Sequence, residues 1–109
     1  MFEATEQNFG TEVEASNLPV LIEFTADWCP PCKMLAPIVK DIAQRYDSQL
    51  RVGLLDGDDN PNIVQRFGVM GLPTLMLFVD GAPVERLVGF MPRERIEEKI
   101  LPHLMVESA

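Results

Sequence analysis

The chain has 109 residues, 47% of them hydrophobic and 24% charged, which suits one folded domain and argues against disorder. Nine Lys and Arg against seventeen Asp and Glu give a net charge of −8. This acidic balance, without a basic cluster, argues against nucleic acid or an anionic membrane surface as partner. We therefore expect a single domain over residues 1–109.

Nothing in the chain resembles a targeting or membrane segment. The longest apolar run is Leu72–Val79, far shorter than the roughly 20 residues that span a bilayer. The N-terminus is acidic and lacks the basic and apolar layout of a signal peptide. The sequence therefore predicts a cytoplasmic protein, and nothing in it requires more than a monomer.

The first half of the chain predicts a helix, a strand and a long helix. Residues 6–16 are weakly helical, and Val20–Phe24 is a short apolar run typical of a strand buried on both faces. Residues 30–46 carry apolar side chains at steps of three and one, which mark an amphipathic helix. Pro37 should kink this helix because it removes a backbone donor.

The second half continues the alternation. Strands are predicted at Leu50–Leu55, Thr74–Val79 and Val84–Val88, and helices at Asn60–Phe67 and 92–101. Asp80 and Gly81 predict a hairpin turn in which both central residues have positive φ, and Pro102 should end or bend the last helix. The order α-β-α-β-α-β-β-α predicts an α/β fold, with parallel strands where a helix intervenes and an antiparallel closing hairpin.

The segment with reactive groups is Trp28–Lys33, where the Val20–Phe24 strand meets the long helix. Two cysteines three residues apart at a helix start can close a small disulfide ring. Cys29 also lies against the free N–H groups and the positive dipole end of the helix, which lower the pKa of a thiol. We therefore predict Cys29 as the attacking thiol. Cys32, one turn inside the helix and more buried, is the resolving thiol.

The sequence gives weaker support to other roles for the cysteines and the acidic residues. A closed zinc site needs four Cys or His ligands, and the chain has two Cys and the distant His103, so only a metal shared between two chains stays open. A pair of inert buried cysteines is a second alternative, against which the adjacent prolines argue. The acidic segment Asp56–Asn60 begins like a calcium loop, but Pro61 and Phe67 stand where that loop needs Gly and Glu.

These motifs resemble the thioredoxin family over nearly the whole chain. Val20–Lys33 looks like the family's active-site strand and turn, and Met34–Pro37 looks like the kinked continuation of its helix. Further matching segments are Asp58–Pro61, Phe67–Val69, Gly71–Thr74, Asp80–Gly81 and Gly89. A CxxC pair alone is a weak signal, but Trp-Cys-x-Pro-Cys-Lys with a downstream Gly-x-Pro-Thr is a strong one. The resemblance implies the thioredoxin fold, a central mixed sheet flanked by helices on both faces.

The resemblance also implies a protein-disulfide reductase that works by dithiol–disulfide exchange. Cys29 would attack a disulfide in a protein substrate, and Cys32 would release the product and leave the Cys29–Cys32 disulfide. No dissociable cofactor is needed, and a thioredoxin reductase or another dithiol would return the electrons. Two alternatives stay open: a disulfide oxidase or isomerase of an oxidising compartment, and a thioredoxin-fold binding subunit.

Further site residues are implied by position. Pro73 matches the family's cis-proline, which faces the disulfide and exposes the backbone of Leu72 to an extended substrate; the alternative is an ordinary proline at a strand start. Trp28 would shield the disulfide. The apolar collar for substrates would comprise Trp28, Leu72, Val88, Gly89 and Phe90, with core packing as the alternative for Val88 and Phe90.

Glu23 is a carboxylate inside an apolar strand, where burial should raise its pKa. It occupies the place of a family Asp that serves the resolving cysteine as a buried proton carrier. Leu54 stands where the family often has a Lys, and the loss of that cation should raise the pKa of Glu23 further. The alternative is a Glu23 side chain that turns to solvent without a role.

Pro30 departs from the commonest family motif, which has Gly there. Two consecutive prolines stiffen the turn, and Pro30 offers no N–H to a Cys29 thiolate. Both effects favour the disulfide over the dithiol. We therefore expect a couple at least as reducing as that of the common motif.

Overall fold

The computed structural model describes residues 1–104, which form one five-stranded mixed sheet with helices on both faces. The strands are β1 (Phe2–Glu3), β2 (Val20–Thr25), β3 (Arg51–Asp56), β4 (Thr74–Val79) and β5 (Ala82–Val88). The helices are α1 (Pro30–Arg45), α2 (Pro61–Arg66) and α3 (Arg93–Leu104), and a π-helical segment spans Gly10–Glu14. The predicted α/β class is confirmed.

The central strand is β2, in the sheet order β1-β3-β2-β4-β5. It pairs in parallel with β3 and antiparallel with β4, and every residue from Val20 to Phe24 is buried. A strand with neighbours on both edges and helices on both faces has no exposed side, which explains its continuous apolar run. This strand carries the chain directly to Cys29.

Each face of the sheet has its own hydrophobic core. On one face, Phe9 and Val13 of the π-helical region and Ile63 of α2 pack against the sheet. On the other face, α1 contributes residues such as Leu35 and α3 contributes residues such as Ile96. The weak helix predicted for residues 6–16 is therefore present only as a five-residue π-helical segment that still buries its apolar side chains.

The closing hairpin confirms the predicted turn. Asp80 and Gly81 both have positive φ, 53° and 83°. A Cβ on Gly81 would lie 2.8 Å from the carbonyl oxygen of Glu14, so glycine is required there by close approach as well as by conformation. The hairpin strand β5 begins at Ala82, two residues before the predicted start.

The predicted end of the last helix at residue 101 is wrong, because α3 continues through Pro102 to Leu104. Pro102 removes the donor for the carbonyl of Glu98, an exposed residue. Water can satisfy that carbonyl, so the missing bond does not stop the helix. Helix α1 likewise continues through Pro37.

Two other features differ from the sequence predictions. The two-residue strand β1, paired in parallel with β3, is too short to leave a pattern in the sequence. Strand β4 follows a helix but runs antiparallel to β2, against the expected parallel pairing. The six residues of α2 span only about 9 Å, and the six residues of β3 about 20 Å, so α2 alone is too short to return the chain to the other end of the sheet.

Strand β1 is held by a contact that a side chain at Gly53 would displace. A Cβ built there would lie 2.7 Å from the Phe2 ring, over which the Arg51 guanidinium also lies. We expect Gly53→Ala to lower the free energy of unfolding by about 1–3 kcal/mol, because the ring must shift off the sheet. Urea denaturation would measure this. Gly10→Ala, at an open position, is the control, and equal stability of the two variants would contradict the prediction.

Candidate active site

The two cysteines lie at the junction between the end of β2 and the start of α1. Cys29 is the N-cap of α1, with extended backbone angles (φ −105°, ψ 101°), and Pro30 and Pro31 form the first helical positions. Proline suits these positions because their N–H groups would have no partner within the helix. The sulfurs of Cys29 and Cys32 are joined in a disulfide, with a Cα–Cα distance of 5.3 Å.

The sulfur of Cys29 receives one hydrogen bond from the helix. The Cys32 N–H donates to Cys29 Sγ at 3.3 Å, whereas Pro30 and Pro31 have no N–H to give. The Lys33 N–H is used by the Cys29 carbonyl oxygen, at 3.2 Å. Both cysteines are almost fully buried, at 2% and 1% exposure, so the predicted difference in their burial is not seen.

The loop before β4 packs directly on the disulfide. Leu72 contacts the small buried cluster of Ala26, Cys29 and Cys32. The Leu72–Pro73 peptide bond is cis. The carbonyl oxygen of Pro73 accepts a hydrogen bond of 2.8 Å from the Gly89 N–H. This bond fixes the loop to the end of β5.

Three apolar side chains of the predicted collar are exposed. Trp28 is 66% exposed, Val88 61% and Phe90 45%. Core packing, the alternative for Val88 and Phe90, is therefore not their role. Gly89, between these two, has φ 91°, a conformation that favours glycine.

Trp28 is held by a contact that the sequence did not reveal. Its indole N–H donates to Asp58 Oδ2 at 2.7 Å, across 30 residues of sequence. Asp58 belongs to the acidic segment Asp56–Asn60, for which the sequence suggested only a failed calcium loop. No local sequence pattern predicts a contact between residues so far apart in the chain. Only the fold brings Trp28 and Asp58 together.

Glu23 is fully buried on β2, which rules out the alternative in which it turns to solvent. Its register neighbours are Leu54 on β3 and Leu75 on β4. Neither carboxyl oxygen has a hydrogen-bond partner among residues 1–104. Burial without compensation disfavours the charged form and raises the pKa of Glu23 to about 7.

Other candidate chemistry is not assembled at this site. Within residues 1–104, no three His, Cys, Asp or Glu side chains form a group that could hold a metal ion. None of the helices described is long and apolar enough to cross a membrane. His103 lies near the end of α3, where its Nε2 is 3.0 Å from Glu85 Oε2.

Comparison with known proteins agrees with this geometry. The thioredoxin family profile matches residues 1–101. Thioredoxin 1 of Synechococcus elongatus is 41% identical over 100 residues, which cover 92% of this chain and 94% of that protein. Thioredoxin of Staphylococcus saprophyticus is 42% identical over 100 residues, with the same coverages. The chain belongs to the thioredoxin family.

This thioredoxin is a thiol–disulfide oxidoreductase whose redox pair is Cys29 and Cys32. As an enzyme it is a protein-disulfide reductase. Family membership implies protein disulfides as substrates and a reductase as the source of electrons. The two cysteines that the sequence predicted as the redox pair are joined in the structure.

The buried carboxyl should make stability depend on pH. Below pH 4.5 Glu23 is protonated in both the folded and the unfolded chain. As the pH rises from there through about 7, only the unfolded chain ionises readily, so folding stability is lost. A shift of this size corresponds to about 3 kcal/mol.

We therefore expect Glu23→Gln, which cannot ionise, to match the parent protein in stability near pH 4. At pH 8 the variant should be more stable by about 3 kcal/mol. Denaturant unfolding of the parent protein and of the variant, both with the Cys29–Cys32 disulfide intact, measures the difference across this pH range. Parallel pH profiles for the two proteins would show that Glu23 does not titrate as described.

Proposed function

We propose that this protein is a monomeric, cytoplasmic thioredoxin with a Pro-Pro active-site turn, that it works as one domain, and that Cys29 is its nucleophile. The observation that carries the assignment of the nucleophile is the hydrogen bond from the Cys32 N–H to Cys29 Sγ at the start of α1. A helix N-terminus and a backbone donor at one sulfur lower the pKa of that thiol selectively. Cys32 is the resolving thiol.

The proposed reaction transfers two electrons in two exchanges. The Cys29 thiolate attacks one sulfur of the substrate disulfide, forming a mixed disulfide and expelling the other substrate sulfur as a thiolate. Cys32 then gives up its proton and attacks Cys29 Sγ. The second substrate thiolate leaves, and the Cys29–Cys32 disulfide is formed. A thioredoxin reductase or an equivalent dithiol returns the two electrons.

Glu23 is the proposed proton carrier for Cys32. It is buried on the sheet face that packs against α1, the helix that holds Cys32. With a pKa of about 7, both its protonated and its ionised forms are populated near neutral pH. The ionised form can take the proton of Cys32 during the second exchange, and the neutral form can return it.

Leu72 and Pro73 are the proposed presenters of substrate backbone. The N–H and C=O groups of Leu72 make no hydrogen bond with residues 1–104, although the side chain packs against the cluster that contains the cysteines. An extended segment of a protein substrate can therefore pair with them, as in the addition of a strand. The exposed residues Trp28, Val88, Gly89 and Phe90 form the proposed collar around that segment.

The edge of the sheet formed by β5 supports the proposal that the protein is a monomer. Strand β5 carries Pro83 and the charged residues Glu85 and Arg86, and a register shift interrupts its pairing with β4. These features discourage edge-to-edge pairing of two chains. The net charge of −8 supports the proposal that neither nucleic acid nor an anionic membrane is a partner.

Substitution of each cysteine tests the assignment of roles. We expect Cys29→Ser to abolish turnover, because the nucleophile is lost. Cys32→Ser should retain the first exchange and accumulate mixed disulfides through Cys29, which non-reducing gels and mass spectrometry can identify. The double variant is the control for non-specific capture. Adducts on Cys29→Ser but not on Cys32→Ser would reverse the assignment.

The Pro-Pro turn makes a prediction about the reduction potential. We expect a value at or below about −270 mV, the reference value known for thioredoxin. Pro30→Gly should give a less negative value, because it restores an N–H near Cys29 and loosens the disulfide ring. Equilibration with thiol–disulfide buffers measures both.

Pro83→Ala on β5 is the matched control, and its potential should stay that of the parent protein. A parent value near about −180 mV, typical of a disulfide isomerase, would instead favour the oxidase or isomerase alternative. The cytoplasmic assignment would then be wrong as well.

A further inference from the structure

A groove beside the disulfide meets the acidic segment that follows β3. The groove has a volume of about 350 Å³ and lies between Trp28 and the loop before β4. Its apolar lining includes Val64, Val69 and Leu72. Leu72 also packs against the buried cluster of Ala26, Cys29 and Cys32, so the groove adjoins the cluster that contains the redox pair.

The rim of the groove exposes large apolar side chains. Met70 is 98% exposed and Trp28 is 66% exposed, and both line the groove. A segment of protein substrate that enters the groove would cover these surfaces. Methionine suits a surface that accepts varied partners, because its side chain is flexible and polarisable. The groove therefore fits an apolar side chain next to the reacting cysteine of a substrate.

One end of the groove is negatively charged. Asp58 lines it, and its Oδ2 is fixed by the indole N–H of Trp28. The backbone N–H groups of Asp58 and Asp59 both donate to Asp56 Oδ1, at 2.9 and 3.2 Å, which holds the two following carboxylates in an exposed turn.

These carboxylates have no cationic partner among residues 1–104. Neither Asp58 nor Asp59 forms an ion pair, and neither does the nearby Asp27. Lys33, in the first turn of α1, is the cation closest in sequence to the disulfide, and it too is unpaired in the described part of the chain. The groove end therefore keeps an uncompensated negative charge that a partner can neutralise.

We propose that this groove selects protein substrates that carry an apolar side chain beside the reactive cysteine and a Lys or Arg within a few residues of it. The apolar side chain enters between Trp28 and Met70, and the cationic side chain faces Asp58 and Asp59. This inference rests on the proposed function as a reductase of protein disulfides and names the substrate class of that site.

The test uses three synthetic disulfide probes and the reduced protein in single turnovers. Two peptide disulfides share one sequence with a leucine beside the cysteine and differ only in carrying two Lys or two Glu next to it. The third probe, neutral 2,2′-dithiodipyridine, reports the intrinsic reactivity of Cys29. The second-order rate constant for each peptide is divided by that for the neutral probe.

We expect the Lys peptide to react about tenfold faster than the Glu peptide at 20 mM salt, and less than about threefold faster at 0.5 M salt. Asp59→Asn should reduce the preference by about two- to threefold, and Asp58→Asn/Asp59→Asn should remove most of it. Asparagine at position 58 keeps an oxygen for the Trp28 indole, so the variant removes charge without removing that bond.

The matched control is Asp47→Asn, which makes the same change in net charge at an exposed site after α1, at the other end of that helix from the cysteines. It should leave the preference unchanged. The groove would not be the origin of selectivity if Asp47→Asn lowered the preference for the Lys peptide as much as Asp59→Asn does. The same conclusion would follow if neither variant lowered that preference. Reaction with the neutral probe but with neither peptide would instead contradict the proposed function itself.

Discussion

The antiparallel pairing of β2 with β4 is the constraint on which the site depends. It places Phe24 opposite Thr74, so that the end of one strand and the start of the other meet at the same edge of the sheet. Cys29 therefore faces the loop that contains Pro73, although 44 residues separate them in the chain. With β4 in the parallel direction, that loop would start at the opposite edge, and Leu72 could not contact the disulfide.

The same central strand contains the least favourable group in the interior. Glu23 lies between Leu54 and Leu75, without a hydrogen bond from residues 1–104. A buried carboxyl in such surroundings destabilises the fold once it ionises, so packing alone gives no reason for an acid at this position. Its cost to folding is low only while it holds its proton, and the pKa of about 7 means that it releases the proton within the range where thiol exchange operates.

The parts of the fold that local chemistry determines could be predicted from the sequence. The apolar run of β2, the periodicity of α1 and the Asp80–Gly81 turn each lie within one segment, and the cysteine pair lies at a helix start that the sequence marks. The features that escaped prediction depend on distant partners: β1 needs Gly53 to make room for Phe2, and the Trp28 bond needs Asp58. The direction of β4 is seen only in its pairing with β2, a distant partner that no local pattern identifies.

Recognition and reactivity are coupled at the groove. Carboxylates near a thiol raise its pKa, because a second negative charge is disfavoured beside them. Asp58 accepts a hydrogen bond from the indole of Trp28, the residue before Cys29, so its charge works against the helix end and the Cys32 N–H in the proposed stabilisation of a Cys29 thiolate. A cationic substrate segment docked as proposed would neutralise the carboxylates at the moment of attack. The nucleophile would then be most strongly activated when the substrate class that fits the groove is bound, and less so in the free protein.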